Sequence, residues 1–576
     1  MSNSTPVFQI EKAREEAILR QIESDDAQVD PATGFLRETN TTAKGYHSNL
    51  GIGAVVRPTR SAMNRAAFLL ASPQPQHHAA GNRVLANVLQ LQDKNPASPT
   101  FGIWSWFAEE PLDQMCPPDY NWADFLGSTI ALILQDHRNR LTPEVLREAE
   151  ASLERACRAI IKRNVAPDYT NIAIMGSTVT AAAGTLLSNP EFLDFGRARI
   201  ERSGVHYREN GGFNEYNSPT YTMVAVNELE RMLHLVADER CRTVARQLLD
   251  EVWKTIALHY HAPTAQWAGP HSRAYSDLLA DTMCSAILAR AGLAPAESLA
   301  EASPLVPALP VPAYLCKHFE DHFATPALRQ DSFVVERPHF HVTGTTWLTS
   351  RAALGSASYH TFWEQARGLL GYWTQPESAE EPAVLRMRFL HDGKDFSSAW
   401  GRNLQEKNAV LSAIGLLTDR GSVHPYFDRP EDVTFRARSF RCEWQLAGRD
   451  ATATQLDTSR FELSAGGLRV VVHVAVNCVF DGNPVVWSVE QGKNCAAVVG
   501  TCYDGPEKDF PFKSLGPVRI AVGIELLEED VNPSTEPVVI AESDWEAPQE
   551  GPYYEVCWPR IGSGKKLLAP CQPTEQ

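Results

Sequence analysis

The chain is short of several things, and each shortage excludes something. It has no run approaching the roughly 18–20 consecutive apolar residues that a membrane-spanning helix needs, so no membrane partner is expected. Its opening, MSNSTPVFQIEKAREEAILRQIESDDAQ, lacks the basic n-region, apolar h-region and cleavage site of an export signal, and with Met1 in place it reads as an intact start. Positive charge is in deficit: 53 Lys and Arg stand against 70 Asp and Glu, a net −17 spread along the chain. Readers of nucleic acid need basic patches, so that class is set aside. A small anionic substrate is not, because a local pocket on an acidic protein can be basic. The 11 cysteines are odd in number, scattered and without CxxC spacing. They read as reduced, mostly buried thiols in a cytoplasmic compartment. No strict internal period is visible, which argues against a repeat solenoid.

What is present is a 576-residue chain, long enough for two large domains. A hydrophobic content of 43% and a charged content of 21% describe a folded globular protein. The first half is helical in pattern. In LTPEVLREAEASLERACRAIIKR, Thr142 suits an N-cap, Pro143 the first helical position, and Glu144 the positive dipole end. Leu146, Ala149, Leu153, Ala156 and Ile160 then repeat at three and four, a single buried face. NIAIMGSTVTAAAGTLL, from 171 to 187, is apolar nearly all round and reads as an inner helix. Amphipathic and all-apolar helices in pairs predict two concentric layers, an (α/α) toroid or incomplete barrel over residues 1–310. The proline-rich SPLVPALPVPAY at 303–314 cannot be helical throughout. Beyond it come short β-branched runs without intervening helices, among them FELSAGGLRVVVHVAVNCVF and PVRIAVGIEL. They predict an antiparallel β-sandwich over residues 311–576, and hence an α+β multidomain chain.

The chemistry-bearing residues collect in a few stretches. GGFNEYNSPTYTMVAVNELERML places Glu215, Tyr216 and Asn217 on a loop, Ser218 and Pro219 at a helix start, and Tyr221 in the first turn. In a toroid such loops ring one mouth of the barrel, where a ligand reaches them. A well-capped helix with loop polars satisfying each other is the plain alternative. Asn171 either caps the inner helix or faces a ligand. The loop HAPTAQWAGPHSRAYSD offers His271, Arg273, Tyr275 and Asp277 beside Trp267, and WSWFAEEPLDQMCPPDYNWADF offers Trp122 and Asp124 among other tryptophans and acids. Both suit a sugar-binding rim, since aromatic faces stack on pyranose rings while polar groups read hydroxyls. Some of these tryptophans serve equally as core. His339 and His341 alternate on an expected strand and share one face with Arg337, and His360 follows. A zinc pair lacks a third ligand at recognisable spacing, so neither metal nor cofactor is expected.

With those residues in place, the layout resembles the heparinase II/III and alginate lyase group of polysaccharide lyases. Members pair an α/α toroid with a C-terminal antiparallel β-domain. Several carry a Glu-x-Ser-Pro-x-Tyr-His-like motif at a helix start, preceded by Gly. GGFNEYNSPTYT is similar, with one extra residue between Glu215 and Ser218, and it sets Tyr221 where the family has its catalytic tyrosine. The family's inner-helix asparagine, often Asn-His, matches Asn171, here followed by Ile172; the histidine after the tyrosine is Thr222 here. His339 or His341 matches the histidine that the β-domain supplies.

The resemblance implies β-elimination from a uronic-acid-containing oligosaccharide. Asn171, with Arg273 or His271, would stabilise the developing enediolate. Tyr221 would protonate the leaving oxygen, His339 or His341 would be the alternative base, and Glu215 would orient Tyr216 or a sugar hydroxyl. Tyr216, Asn217, His271, Arg273, Tyr275, Trp122, Asp124 and His360 would bind substrate. A cytoplasmic enzyme does not meet polymers, so exo attack on short oligosaccharides is expected. Two rivals stand: a glycoside hydrolase drawing on Glu215, Asp277, Asp124 or Glu109 as a carboxyl pair, and a non-catalytic glycan-binding protein. A homo-oligomer is left open.

Overall fold

The computed structural model describes residues 7–42, 44–295, 297–334, 341–376, 381–418, 432–547, 551–562 and 564–575. His339 and Arg337 lie outside them. By internal contacts the chain divides into two units. The first holds Met1–Glu215, Tyr221–Lys254 and Ala280–Cys316; the second holds Tyr216–Thr220, Thr255–Leu279 and Lys317–Gln576.

The first unit is helical. Its elements are α1 (Val7–Asp26), α2 (Thr59–Ala71), α3 (Gln76–Gln90), α4 (Trp122–Asp136), α5 (Pro143–Arg163), α6 (Thr170–Leu186), α7 (Pro190–Asn210), α8 (Pro219–Leu235), α9 (Glu239–His259), α10 (Asp281–Arg290) and α11 (Glu297–Ala302), with the first two residues of α8 and the last five of α9 counted in the second unit. α2 packs on α4 and α4 on α6, while α3 packs on α5 outside them. Alternate helices thus form an inner and an outer layer, the (α/α) toroid arrangement. Burial follows from composition. Thr170 to Gly184 of α6 are buried on every face, whereas α5 buries only the stripe Ala149, Ser152, Leu153, Ala156, Cys157 and Ile160. The start of α5 is as its sequence dictates, with Thr142 as N-cap accepting from Val145 N and Pro143 at the first position. Deep in this unit Arg290 and Glu230 form an ion pair at 2.8 Å, both side chains 1% exposed. Among the described residues no helix is long and apolar enough to cross a membrane.

The second unit is an antiparallel β-sandwich. Its principal strands are β1 (Ala327–Val334), β2 (His341–Leu348), β3 (Ala352–Ala357), β4 (Tyr359–Thr361), β5 (Leu369–Trp373), β6 (Ala383–His391), β7 (Ala399–Glu406), β8 (Ala409–Leu416), β9 (Thr434–Ala447), β10 (Thr452–Gln455), β11 (Arg460–Ala465), β12 (Leu468–Val474), β13 (Val486–Gln491), β14 (Cys495–Pro511), β15 (Ile520–Glu528), β16 (Val539–Ala547), β17 (Gly551–Cys557) and β18 (Lys566–Pro570). One sheet runs β13-β14-β9-β6-β5-β3-β2-β1 and the other β10-β11-β12-β15-β8-β7-β4. Their inner faces share one core, in which Trp444, Phe389 and Phe440 of the first sheet meet Trp400, Leu411 and Val472 of the second.

β8 is buried on both faces, so alternation is lost there. Its outer face is covered by the small sheet β16-β17-β18, through β18. β3 and β5 are likewise buried throughout. Over them lies the segment around Ala268–Pro270: Ala268 packs with Leu348 and Ala353, and Thr346 Oγ1 donates to Gly269 O at 2.6 Å. The backbone approaches so closely that a Cβ at Gly355 would collide with the Gly269 carbonyl.

Candidate functional site

In the first unit, side chains tie the starts of three inner helices together. Trp122, first residue of α4, donates from Nε1 to Thr59 Oγ1 of α2 at 2.9 Å. Its ring stacks on Trp106 at 5.1 Å, and Trp106 Nε1 in turn donates to Asp119 Oδ2 at 3.1 Å. Asn121 donates from Nδ2 to the Tyr169 hydroxyl at 3.1 Å and accepts from Arg163 at 2.6 Å, which joins α4 to the start of α6. Burial raises the Tyr169 phenol above its ordinary pKa, and Asp119 and Glu215 push the same way. The first turns gathered here bring positive dipole ends together, a setting that favours an anion, although at α4 the N–H groups of Asn121 to Asp124 are already taken by Asp119, Tyr120 and Asn121.

Asn171 sits in the first turn of α6 and is 3% exposed, yet among the described residues its side chain makes no hydrogen bond and its Oδ1 is a buried acceptor without a donor. It is not the cap, because the residue before the helix is Tyr169, with no side-chain capping bond. Most buried carboxamides are fully paired, so a free one marks a site that something else satisfies. Tyr221 is part-buried in the first turn of α8, and Glu215 is part-buried on the loop before it. Asp124 turns away from the rim. It is 2% exposed and faces α6, where a Cβ at Gly176 would strike its Oδ1 and come within 3.0 Å of Arg199 Nη1. Burial raises its carboxyl to about 7, against the pull of Arg199. A group so enclosed does not touch a sugar, which corrects the expectation that it binds substrate.

A second constellation stands in the second unit. The Tyr216 hydroxyl lies 3.0 Å from Asp331 Oδ2 and 3.2 Å from His259 Nε2, and His259 Nε2 is 3.3 Å from the same carboxylate oxygen. His259 Nδ1 is held by Thr255 O at 2.8 Å. Burial works to raise the Asp331 carboxyl, but the bonds from His259 and Tyr216 outweigh it and hold it below its ordinary value. The Tyr216 ring fits because position 344 is glycine; a Cβ there would stand 2.8 Å from the ring. Neither His259 nor Asp331 carries a local sequence signal, since they meet Tyr216 from far along the chain.

Asn217, His271, Arg273 and His360 are held by the protein itself. Asn217, at φ 47°, donates from Nδ2 to Ala268 O and Pro270 O, both at 2.9 Å, and its Oδ1 accepts from Trp267 Nε1 at 2.5 Å. Its carbonyl meets His271 Nδ1 at 2.6 Å. With its side chain saturated and 2% exposed, Asn217 is a loop clamp and not a sugar ligand. His271 is buried, which lowers its pKa to about 3, so it is a neutral prop and not the cation that an enediolate needs. Arg273 donates twice to Gln365 Oε1, at 3.0 and 2.9 Å, and lies over Trp363. Tyr275 is exposed. His360 is wedged between Gly368 and Gly401, and burial lowers it to about 4. His341 opens β2 and is exposed; His339 lies outside the described residues. Among the described residues no group of three or more His, Cys, Asp or Glu is arranged to hold a metal.

Comparison with solved structures finds similarity to polysaccharide lyases. Heparinase III is 10% identical, with a TM-score of 0.45, over 99% of this chain and 92% of that one. The Streptomyces coelicolor A3 chondroitin AC lyase, in complex with chondroitin sulphate, is 10% identical with a TM-score of 0.45, over 98% and 85%. Paenibacillus xanthan lyase is 10% identical with a TM-score of 0.45, over 97% and 61%. No curated protein matches the sequence. A family described as a domain of unknown function, DUF8769, matches residues 17–328, more than half of the chain, and the chain belongs to that family.

Proposed function

We propose that the chain is a carbohydrate-active lyase that cleaves uronic-acid-containing oligosaccharides by β-elimination, attacking from chain ends. The observation that carries this reading is the Asn171 carboxamide: nearly fully buried, without a protein partner, at the start of an inner helix whose neighbours' first turns are tied to the same edge. Elimination requires that the uronate carboxylate be neutralised, so that the C5 proton becomes acidic enough to remove. The Asn171 Nδ2–H2, which gives no hydrogen bond to any described residue, is the donor that supplies that beside a helix N-terminus, and such preorganised donors are each worth about 10²–10³ in rate.

In this reading Tyr221 is the acid for the C4 leaving oxygen, and the base when proton and leaving group are syn. Hydrolysis is disfavoured by the fate of three of its four carboxyls, which leaves no second acid of that set to work beside Glu215. Asp277 pairs with Arg367, Glu109 Oε1 pairs with Arg57 at 2.5 Å, and Asp124 is enclosed. The test is a panel of uronide and neutral oligosaccharides followed by ultraviolet absorbance and reducing-end release together. Elimination gives an absorbing C4–C5 double bond with each cleavage; reducing ends without absorbance would establish hydrolysis instead. Faster attack on long polymer than on di- or trisaccharide would contradict exo action.

A further inference from the structure

Two arginines of the helical unit have hydrogen-bonding capacity that the protein does not use. Arg60, second residue of α2, is exposed and lays its guanidinium 4.0 Å over the Phe125 ring of α4. Among the described residues it makes no hydrogen bond and no ion pair. Arg231 of α8 offers only Nε to Glu228, at 3.3 Å, and its Nη1 is buried without an acceptor. Phe125 under Arg60 and Ser128, whose hydroxyl reaches Arg231's partner Glu228, stand three residues apart on one face of α4, which brings the two guanidiniums to the same helix; burial, and then Arg231, disfavour charge on Arg60.

The nearby carboxylates do not cancel this pair. Glu228 is buried, and its other oxygen accepts from Ser128 Oγ of α4 at 3.2 Å. Asp119, the second carboxylate that Arg60 feels, is occupied by Trp106 Nε1 at 3.1 Å and Asn121 N at 2.9 Å. An unpaired buried donor on a charged group is costly, and with Arg60 stacked on Phe125 and Arg231 bonded to Glu228 through one nitrogen, both guanidiniums keep donors ready for an anion. They lie on inner helices. Glu228 is two turns along α8 from Tyr221, roughly 10 Å of helix rise.

We propose that Arg60 and Arg231 form an anion subsite that takes the carboxylate or sulfate ester of a sugar other than the one being cleaved. This rests on the acidic-glycan reading above. The subsite would make the enzyme select for a second acidic group along the oligosaccharide.

The experiment is calorimetric binding at low salt to the full chain, wild type and Arg60→Gln. The ligands are an unsulfated hexuronate tetrasaccharide, a sulfated oligosaccharide of neutral sugars, and a neutral unsulfated one. The expected result is that Arg60→Gln weakens at least one acidic ligand about tenfold or more, the loss of one charge-assisted contact, and leaves the neutral ligand unchanged. Which acidic ligand responds identifies carboxylate or sulfate. Arg231→Gln strips a partner from buried Glu228 and risks misfolding. Arg60→Gln therefore carries the test, with its melting temperature recorded alongside. The inference is overturned if wild type binds neither acidic ligand, if Arg60→Gln binds both as wild type does, or if the neutral ligand weakens equally. Reducing ends without ultraviolet absorbance would strike the elimination reading and leave this binding result intact.

Discussion

Tyr216 lies face to face on Phe333, ring centroids 3.9 Å apart and planes 11° from parallel, while its hydroxyl reaches Asp331, two residues earlier on the same strand. Positions two apart on a strand share a face, so β1 offers the ring a platform and the phenol an acceptor at once. Tyr216→Phe keeps the platform and loses the bonds to Asp331 and His259, and is expected to cost about 1–3 kcal/mol. Phe333→Ala removes the platform and is expected to cost about 3–5 kcal/mol. Denaturant midpoints measure both; a Tyr216→Phe loss as large as that of Phe333→Ala would show that the hydroxyl dominates.

Asn171→Ala is expected to lower turnover of a uronide oligosaccharide about 10²–10³-fold. Because the side chain has no protein hydrogen bond to lose, the melting temperature should stay near that of wild type. Rate and melting curve on the same preparation check this. A variant that unfolds early but turns over normally would make Asn171 a packing residue.

Acid should destabilise the second unit earlier than its carboxylates alone would. Burial lowers His261 to about 4, His271 to about 3 and His360 to about 4. Unfolded, each returns to about 6.5. Between those values the unfolded chain binds protons that the folded one does not, so stability falls as pH drops from about 6.5 toward 4. Denaturation free energies at pH 7, 6 and 5 should decline stepwise, and His271→Gln should flatten the slope by the share of one proton. A flat profile over that range would contradict the burial of all three rings.

Gly355→Ala should damage the second unit. Its methyl group must displace the Gly269 carbonyl, which holds the bond from Thr346 Oγ1. A cost of about 1–3 kcal/mol or more is expected from overpacking against backbone. Gly393→Ala is the control for a glycine with open surroundings, since nothing lies within 4 Å of a Cβ there, although its φ of 79° adds backbone strain of its own. A Gly355→Ala no less stable than that control would show that the loop yields.

Much of the architecture could be read from local pattern. α5 starts at Pro143 behind a Thr142 cap, and α6 is buried all round as its apolar composition requires. The β-rich half alternates where one face is wet, as in β11. What stayed illegible depends on distant partners. Nothing near Asn217 announces Trp267, and nothing near Tyr216 announces His259 or Asp331. Asp124 reads as a polar rim residue because helix position alone does not say which side meets Arg199. Residues 216–220 and 255–279 follow the helical pattern in sequence, yet they group with the strands, through the Gly269 carbonyl and through the side chains of Tyr216 and His259, whose partners lie far along the chain.

The geometry at Asn217 limits what evolution can put there. The position needs a residue that tolerates a left-handed backbone and that also presents two donors and an acceptor from a short stem. Aspartate has no N–H to give, glycine has nothing to reach with, and glutamine is a methylene too long. Divergence among relatives that keep this loop should therefore stop at residue 217.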